Sequence, residues 1–588
     1  MPNFLENILV QLRRAEGRVV LREIRRDQIV SVTGREMLDR IERVRAYLRS
    51  SGVRTGDRCA LLGPNSISWA VFHLACMAEG VIVVPLYSRQ APGEIAGMMK
   101  DCQPLLLFVS ESALGDAVAE AWSEAPRPIL MDEVLERPAP QPRLSDVPNP
   151  SQDSDIVTII YTSGTSGEPK GVCLNVGNFT HMLSCTTERL DQLMGATHEP
   201  DRVFHYLPFS FAASTILLLS CLTRESVLTL STDLDRLADE IRLASPNYFL
   251  NVPTLLERVR RGVEEAISKR PAPIRSLFAK ARSAWQRRHV GRGRTFDALW
   301  LALGRGLIFG KIRKRFGSHL RALICGSAPL APETQQFFLM LGIPVLQAYG
   351  LTETTGICTL DDPRAPVEPG YVGTAIRGIE MKVAENQEIV VRGPHIFPGY
   401  WNRPEETAHA LMGGWFHTGD QGEVNMRGNW RISGRIKNLI ILNSGHNIAP
   451  EPIEEKIARL LPPAQQVVLV GNGRGYLCLL VTGKIEPVAV QAALDAVNPE
   501  LPHYRQIRKF TLIPDVFTPE SGLLTPTANS GATPSMRATL PKSMQCTTRR
   551  LIAKRSAGST HEKLHRQVAA LGVARGGDRA DARSRARQ

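Results

Sequence analysis

Between residues 35 and 86 the apolar positions alternate between helical and strand spacing, and that alternation limits the folds open to this chain. Arg35-Glu-Met-Leu-Asp-Arg-Ile-Glu-Arg-Val-Arg-Ala-Tyr-Leu48 repeats apolar residues at helical spacing. Gly52 and Thr55-Gly-Asp57 predict a turn, and Cys59-Ala-Leu-Leu62 predicts a short strand. Trp69 to Ala78 is helical again, and Gly80-Val-Ile-Val-Val-Pro-Leu86 reads as a buried strand. Such a βαβα rhythm predicts an α/β fold with parallel-type sheets and flanking helices.

The next apolar run, Ile156-Val-Thr-Ile-Ile-Tyr161, also reads as a buried strand and leads into Thr162-Ser-Gly-Thr-Ser-Gly-Glu-Pro-Lys-Gly171. Those ten residues hold three Gly, four hydroxyls and Lys170. Glycine lets backbone N–H groups approach a phosphate, and hydroxyls and lysine add donors and charge. The GxxxxGK[ST] phosphate loop is a different pattern, because Lys170 follows Pro169 and precedes Gly171, leaving no helix start behind it. Taken alone, a polar hairpin loop is the simpler reading.

Further along, Pro126 to Pro150 reads as a surface linker. Residues 258–321 are rich in helix formers and predict two or more amphipathic helices. Leu323-Ile-Cys-Gly-Ser-Ala-Pro-Leu330 and Val345-Leu-Gln-Ala-Tyr-Gly-Leu-Thr-Glu-Thr354 read as strands ending in polar turns. Short strands, Ile389–Arg392 and Val424–Ile432, suggest a barrel-like part. A smaller α+β domain is expected from Ser433, with a helix from Pro452, strands at 466–470 and 477–481, and a helix near Val488 to Asn498. The expected organisation is 1–432, 433–527 and a basic tail 528–588.

A chain of 588 residues is too long for one core. No apolar run approaches the length of a membrane span, and the first residues lack a basic segment followed by an apolar one. Ten cysteines without a C-x-x-C pair argue for a reducing cytoplasm and against a disulfide framework. The net charge of +13 is unevenly placed: residues 258–321 carry 18 Lys and Arg against 3 Asp and Glu, and 528–588 carry 13 against 3. The remainder is acidic, which argues against nucleic acid as the partner. A solvated face is the usual reading of such a cationic segment, and contact with an anionic membrane through 258–321 is the alternative.

Four segments stand in order: the Gly-rich loop, Tyr349-Gly-Leu-Thr-Glu353, Trp415-Phe-His-Thr-Gly-Asp420, and Gly434-Arg-Ile-Lys-Asn438 followed by Gly445. With Gly326-Ser-Ala-Pro329 between them, this order resembles the adenylate-forming superfamily of acyl-CoA synthetases, luciferases and peptide-synthetase adenylation domains, from about Ser31 to Thr527. The segment Ser444 to Glu454 and the long insert before Leu323 look most like long-chain fatty acyl-CoA synthetases. The resemblance implies a large domain and a small one joined by a hinge. It also implies an ATP- and Mg²⁺-dependent acid–CoA ligase that forms an acyl-adenylate and then acyl-CoA. Thr162, Ser163, Gly164, Thr165, Ser166, Gly167 and Lys170 would hold the β- and γ-phosphates. Thr352 would bind phosphate and Glu353 would ligate Mg²⁺. Gly326, Ser327, Ala328, Pro329 and Tyr349 would flank adenine, and Gly350 would belong to the ATP- or AMP-binding set. Asp420 would accept from the ribose hydroxyls, assisted by Arg435. Lys437 matches the hinge, Gly445 the loop that approaches CoA, and Phe211 a gate of the acyl pocket. Read singly, Glu353 and Asp420 could be caps or turn residues, Tyr349 core, and Gly445 a turn.

The resemblance also implies a catalytic lysine near the end, after Leu-Thr-Pro-Thr. Here Leu524-Thr-Pro-Thr527 arrives on schedule, but Asn529 stands where that Lys is expected. A change of reading frame after Thr527 is one explanation; a genuine basic tail, or Lys542 standing in, are others. With the tail as written, weak adenylation is expected, and residues 528–588 are expected to lack a fold. The alternative functions are a ligase that loads a carrier-protein thiol and a nucleotide-binding homologue impaired in adenylation. Many long-chain members are peripheral membrane enzymes, so the expected location is the cytoplasm, with attachment to the inner face of a membrane as an option.

Overall fold

A computed structural model of the chain describes residues 3–26, 28–138, 148, 152–163, 169–195, 199–444 and 446–513. Two compact units part between Ile432 and Ser433. The tail after 513, including Thr527 and Asn529, lies outside the described residues, so the expectations for it are carried by the sequence alone.

The larger unit holds two mainly parallel sheets. The first has nine strands in the order Thr374–Ala375, Thr359–Leu360, Val345–Tyr349, Ala322–Cys325, Tyr248–Asn251, Asp201–His205, Ser226–Leu230, Val19–Arg25 and Gln28–Thr33. From Val345–Tyr349 through Val19–Arg25 every neighbour is parallel, and the flanking strands are antiparallel. The second sheet runs Gly399–Tyr400, Pro169–Asn175, Ile156–Ser163, Ile82–Leu86, Arg58–Leu62, Leu106–Val109, Pro128–Leu130. Ile82–Leu86 is buried at every position because helices cover both faces, which is why it reads as a continuous apolar run.

The helix Ile67–Ala78 shows how the sheets are joined. Ser66 caps it by accepting from the Trp69 N–H at 3.0 Å, and every residue of it except Ser68 is buried. It packs against strands of both sheets, so an apolar surface all round is what its position demands. Each fully buried Leu, Phe or Met there contributes roughly 1.5–3 kcal/mol of transfer free energy. Arg45 and Arg49 of the helix Gly34–Ser50 reach Glu79 at 2.6 and 2.8 Å, tying that helix to the end of this one.

A four-stranded antiparallel sheet, Glu380–Val383, Glu388–Arg392, Phe416–Val424 and Trp430–Arg435, forms the barrel-like part. The α/β expectation holds, with two local corrections. The strand expected over 424–432 is a turn between two strands: Asn425 accepts from the Arg427 and Asn429 N–H groups, and Gly428 takes φ +79°. The expected linker after Pro126 begins instead as structure. Pro128–Leu130 is an edge strand beside Leu107–Val109, followed by the helix Met131–Leu135. Pro128 is tolerated because it starts an edge strand, where no ladder N–H is lost. The rest of that stretch, 139–147 and 149–151, lies outside the described residues.

The smaller unit packs the helices Glu451–Leu460 and Pro487–Val497 on the strands Gln466–Val470, Leu477–Thr482 and Ile507–Ile513. The basic segment is helical: Pro253–Ser268, Ala272–His289 and Asp297–Gly304, the last continuing as a helical run to Phe316. No helix among the described residues is long and apolar enough to cross a membrane.

Candidate active site

In the nine-stranded sheet, neighbouring parallel strands end side by side, and their carboxyl ends carry the polar turns. Ala322–Cys325 leads into Gly326-Ser-Ala-Pro329, and Val345–Tyr349 leads into Gly350-Leu-Thr-Glu353. Crevices outside the carboxyl ends of parallel strands are where open α/β sheets bind ligands. The two turns approach closely: a Cβ at Gly326 would lie 3.2 Å from the Ala348 carbonyl oxygen. Ser327 sits at φ +71°, a conformation that a non-glycine residue rarely adopts. Such strain clusters at functional sites, because the surrounding structure must hold it in place.

The Tyr349 turn is held from inside. Its phenol donates to Asp420 Oδ2 at 2.8 Å. Burial, then the Asp420 charge, raises the Tyr349 pKa well above its ordinary value, so the phenol stays a donor. Asp420 is buried on the strand Phe416–Val424, and its N–H donates to Thr418 Oγ1 at 3.1 Å. Gly350 is required sterically, since a Cβ there would meet the Gly356 oxygen at 2.5 Å and Ile357 Cα at 2.6 Å. The one-turn helix Thr352–Thr354 follows, closed by Thr355 at φ +53° and by the Leu351 N–H donating to Thr354 Oγ1 at 2.9 Å.

Glu353 links this turn to the other sheet. Tyr400 Oη donates to Glu353 Oε1 at 2.9 Å, and the Phe397 N–H donates to the Glu353 carbonyl at 2.9 Å. Lys170 Nζ lies 5.3 Å from the centre of the Tyr400 ring. One tyrosine thus has a cation over its face and a carboxylate at its hydroxyl. Burial, then Glu353, raises the Tyr400 pKa, keeping that hydroxyl a donor too. Tyr400 belongs to the short strand Gly399–Tyr400, which pairs with Pro169–Asn175. Neither Tyr400 nor this bridge is expected from the sequence; an aromatic pair after Pro398-Gly399 is the only local sign of it.

The strands on either side of the Gly-rich loop are paired. Ile156–Ser163 pairs antiparallel with Pro169–Asn175, bringing Thr162 opposite Lys170. A strand, not a helix, follows the loop, as the Pro-Lys-Gly order predicts. Gly164, Thr165, Ser166 and Gly167 lie outside the described residues, as does the Ser163 side chain.

Phe211 caps the buried helix Ala212–Thr223, with its ring 6.0 Å from that of Tyr87. The start of this helix touches the Tyr349 turn: a Cβ at Gly356 would lie 3.4 Å from the Ala213 nitrogen. Tyr87 is a second residue that the sequence does not single out. In the smaller unit, Arg435 ends the strand Trp430–Arg435, and Lys437 lies on the short turn Ile436–Asn438. The Lys437 side chain and Gly445 are outside the described residues.

Among the described residues no group of three or more His, Cys, Asp or Glu side chains is placed to hold a metal ion. A single half-buried carboxylate, Glu353, suits Mg²⁺ in the form in which nucleotides carry it, with phosphate oxygens and water completing the octahedron. With one oxygen engaged by Tyr400, the carboxylate keeps lone pairs for such an ion.

Fold and site together define the class. The o-succinylbenzoate CoA synthetase of Bacillus subtilis, solved with the acyl-adenylate OSB-AMP, matches with a TM-score of 0.68 at 22% identity, covering 86% of this chain and 94% of that one. ATP-bound MatB of Rhodopseudomonas palustris matches with a TM-score of 0.68 at 22% identity, covering 92% and 99%. At that identity the likeness establishes the adenylate-forming fold. The chain belongs to the AMP-binding enzyme family, whose model matches residues 10–401. It is similar to a long-chain fatty acid–CoA ligase of Mycobacterium bovis, 27% identical over 546 residues, covering 84% of this chain and 89% of the relative. A long chain acyl-CoA synthetase of Arabidopsis thaliana is 27% identical over 476 residues, covering 74% and 70%.

Proposed function

We propose that this chain is an ATP-dependent acid–CoA ligase acting on a medium-to-long fatty acid. The observation that carries the reading is the Lys170–Tyr400–Glu353 bridge, which sets a cation and a carboxylate beside the paired strands that flank the Gly-rich loop. The names of the relatives support the substrate class.

In the first step a carboxylate oxygen of the acid attacks the α-phosphorus of ATP. The bond from that phosphorus to the bridging oxygen breaks, and pyrophosphate leaves. Negative charge moves along the phosphates, so fixed donors are the economical catalyst. Mg²⁺ on the nucleotide would neutralise part of that charge. Thr162 and Lys170 would grip the terminal phosphates together with Ser163, Gly164, Thr165, Ser166 and Gly167. Thr352 would donate to phosphate, and Glu353 would hold the metal. Gly326 to Pro329 and Tyr349 would bracket adenine, and Asp420, fixed by Tyr349, would accept from the ribose, with Arg435 assisting. In the second step a thiol attacks the acyl carbon and AMP leaves; Gly445 would face CoA, and Lys437 would serve the exchange between steps. Phe211, backed by Tyr87, would gate the acyl pocket.

With Asn529 at the expected lysine position, the first step on the chain as written is the slow one. A panel of carboxylic acids tests the reading through AMP release. The expected result is release that needs both CoA and a fatty acid. Release that needs a holo carrier protein would replace CoA as the acceptor, and nucleotide binding with no release from any acid would refute a ligase.

A further inference from the structure

The strand Pro169–Asn175 lies between Ile156–Ser163 and Gly399–Tyr400, and Gly171 is flanked by side chains from both directions. Tyr161 sits opposite Gly171 in the register, and the Trp401 N–H donates to the Gly171 carbonyl at 2.7 Å. A Cβ at Gly171 would lie 2.7 Å from Ile159 Cγ2 and 3.2 Å from both Trp401 Cβ and Tyr161 Cζ. Glycine therefore lets two aromatic side chains close on the backbone immediately after Lys170. The next pair in the register is Thr162 with Lys170.

Both flanking segments are tied to the end of one helix. The Tyr161 phenol donates to Asp101 Oδ2 at 2.7 Å, and the Arg403 guanidinium meets Asp101 Oδ1 at 3.2 Å. The two oxygens of one carboxylate are thus engaged from the two sides of the central strand. The Asp101 side chain is 18% exposed, which keeps these charge-assisted bonds largely out of water. Asp101 lies in the last turn of the helix Pro92–Cys102. Arg58 fixes that helix end by donating to the Cys102 carbonyl at 2.8 Å and to the Gln103 carbonyl at 3.0 Å. Its guanidinium carbon also lies 5.5 Å from the centre of the Trp401 ring. Asn402, at φ +50°, turns the chain from Trp401 into Arg403.

We propose that Asp101 is a positioning residue that holds Thr162 and Lys170 in place for the terminal phosphates of ATP. Its carboxylate ties together the two segments that enclose Pro169–Asn175, one through a phenol and the other through a guanidinium. Lys170 reaches the Tyr400 ring from the enclosed strand, so play in the brace becomes play in the ammonium. AMP has no terminal phosphates, so its binding does not depend on the brace. The inference rests on the ligase reading and adds to it a residue that acts through others.

Calorimetric titration of the full chain with MgATP and, separately, with AMP tests it, because neither measurement needs turnover. Asp101→Ala and Tyr161→Phe should each weaken MgATP binding about fivefold or more, while AMP binding stays within about twofold of the parent. Tyr161→Phe removes one hydroxyl and decides the question where Asp101→Ala does not fold. Unchanged MgATP affinity in Tyr161→Phe would overturn the proposal and leave the ligase reading standing. Equal weakening of MgATP and AMP would overturn it as well, because a general loosening moves both. A parent protein that binds no MgATP would overturn the ligase reading and the proposal with it.

Discussion

Tyr400 is the residue on which the candidate site turns. Its hydroxyl is spoken for by Glu353 and its ring by Lys170, so each half of the side chain has a separable role. Tyr400→Phe keeps the ring under the ammonium and deletes one hydrogen bond to a carboxylate. The expected cost is about 1.5–3 kcal/mol in whichever state depends on the Glu353 position. We predict that turnover falls by roughly tenfold or more and that the Mg²⁺ concentration giving half-maximal rate rises. An unchanged magnesium dependence would show that the hydroxyl only packs. Residues like this stay hidden in the sequence for a plain reason. Tyr400 and Lys170 are 230 positions apart, and no local period connects them. Glu353, Tyr349 and Asp420 are legible because they sit in short segments whose order resembles a known family. The Tyr349–Asp420 bond itself is visible only once the strands are laid side by side.

At the scale of elements, the turn after Val345–Tyr349 is built to tight tolerance. Gly350 faces the Gly356 backbone, Thr355 is left-handed, and Thr354 closes the turn by hydrogen bonding. Gly350→Ala should force this turn apart. Overpacking of that kind costs about 1–3 kcal/mol, and the displaced element carries Thr352 and Glu353. We expect a lower urea midpoint and a larger loss of turnover than of stability; parent-like turnover would contradict this account of the turn. Elements with a clean apolar pattern are legible in the sequence. Ile82–Leu86 and Leu477–Thr482 are buried throughout, and their apolar runs announce it. Phe416–Val424 is mostly small, polar and charged residues, and only its short motif stands out in the sequence. Its strand character comes from pairing with Glu388–Arg392, which supplies ladder bonds that local preference does not foretell.

Among the described residues of the larger unit, three buried histidines set an acid limit. Burial lowers the pKa values of His73, His205 and His395 from the ordinary 6.5 to about 3. The unfolded chain therefore takes up protons between pH 6.5 and about 3 that the native state refuses. Native stability falls as pH drops through that window and is independent of these groups above it. Between about pH 6.5 and 5 most carboxylates are still ionised, but Asp361, which burial raises to about 7, takes up a proton there in the native state and offsets part of the slope, so it is the difference between parent and a histidine variant that isolates the histidine contribution. His73→Leu should flatten the pH dependence of the unfolding midpoint in that interval. His73 stacks on Trp69 at 4.7 Å with no hydrogen bond to its ring nitrogens, so the variant removes a titrating group from an apolar position. An identical slope in parent and variant would mean that the native state admits the proton.

The large unit is proposed to activate a carboxylate with ATP, and in the sequence Asn529 stands where the family resemblance implies a catalytic lysine. Fatty-acid-dependent exchange of labelled pyrophosphate into ATP tests both parts, on the chain as written and on Asn529→Lys. The account predicts slow exchange in the first, exchange faster by about tenfold or more in the second, and loss from both with Glu353→Gln. Exchange absent from both proteins, or undiminished by Glu353→Gln, would contradict it.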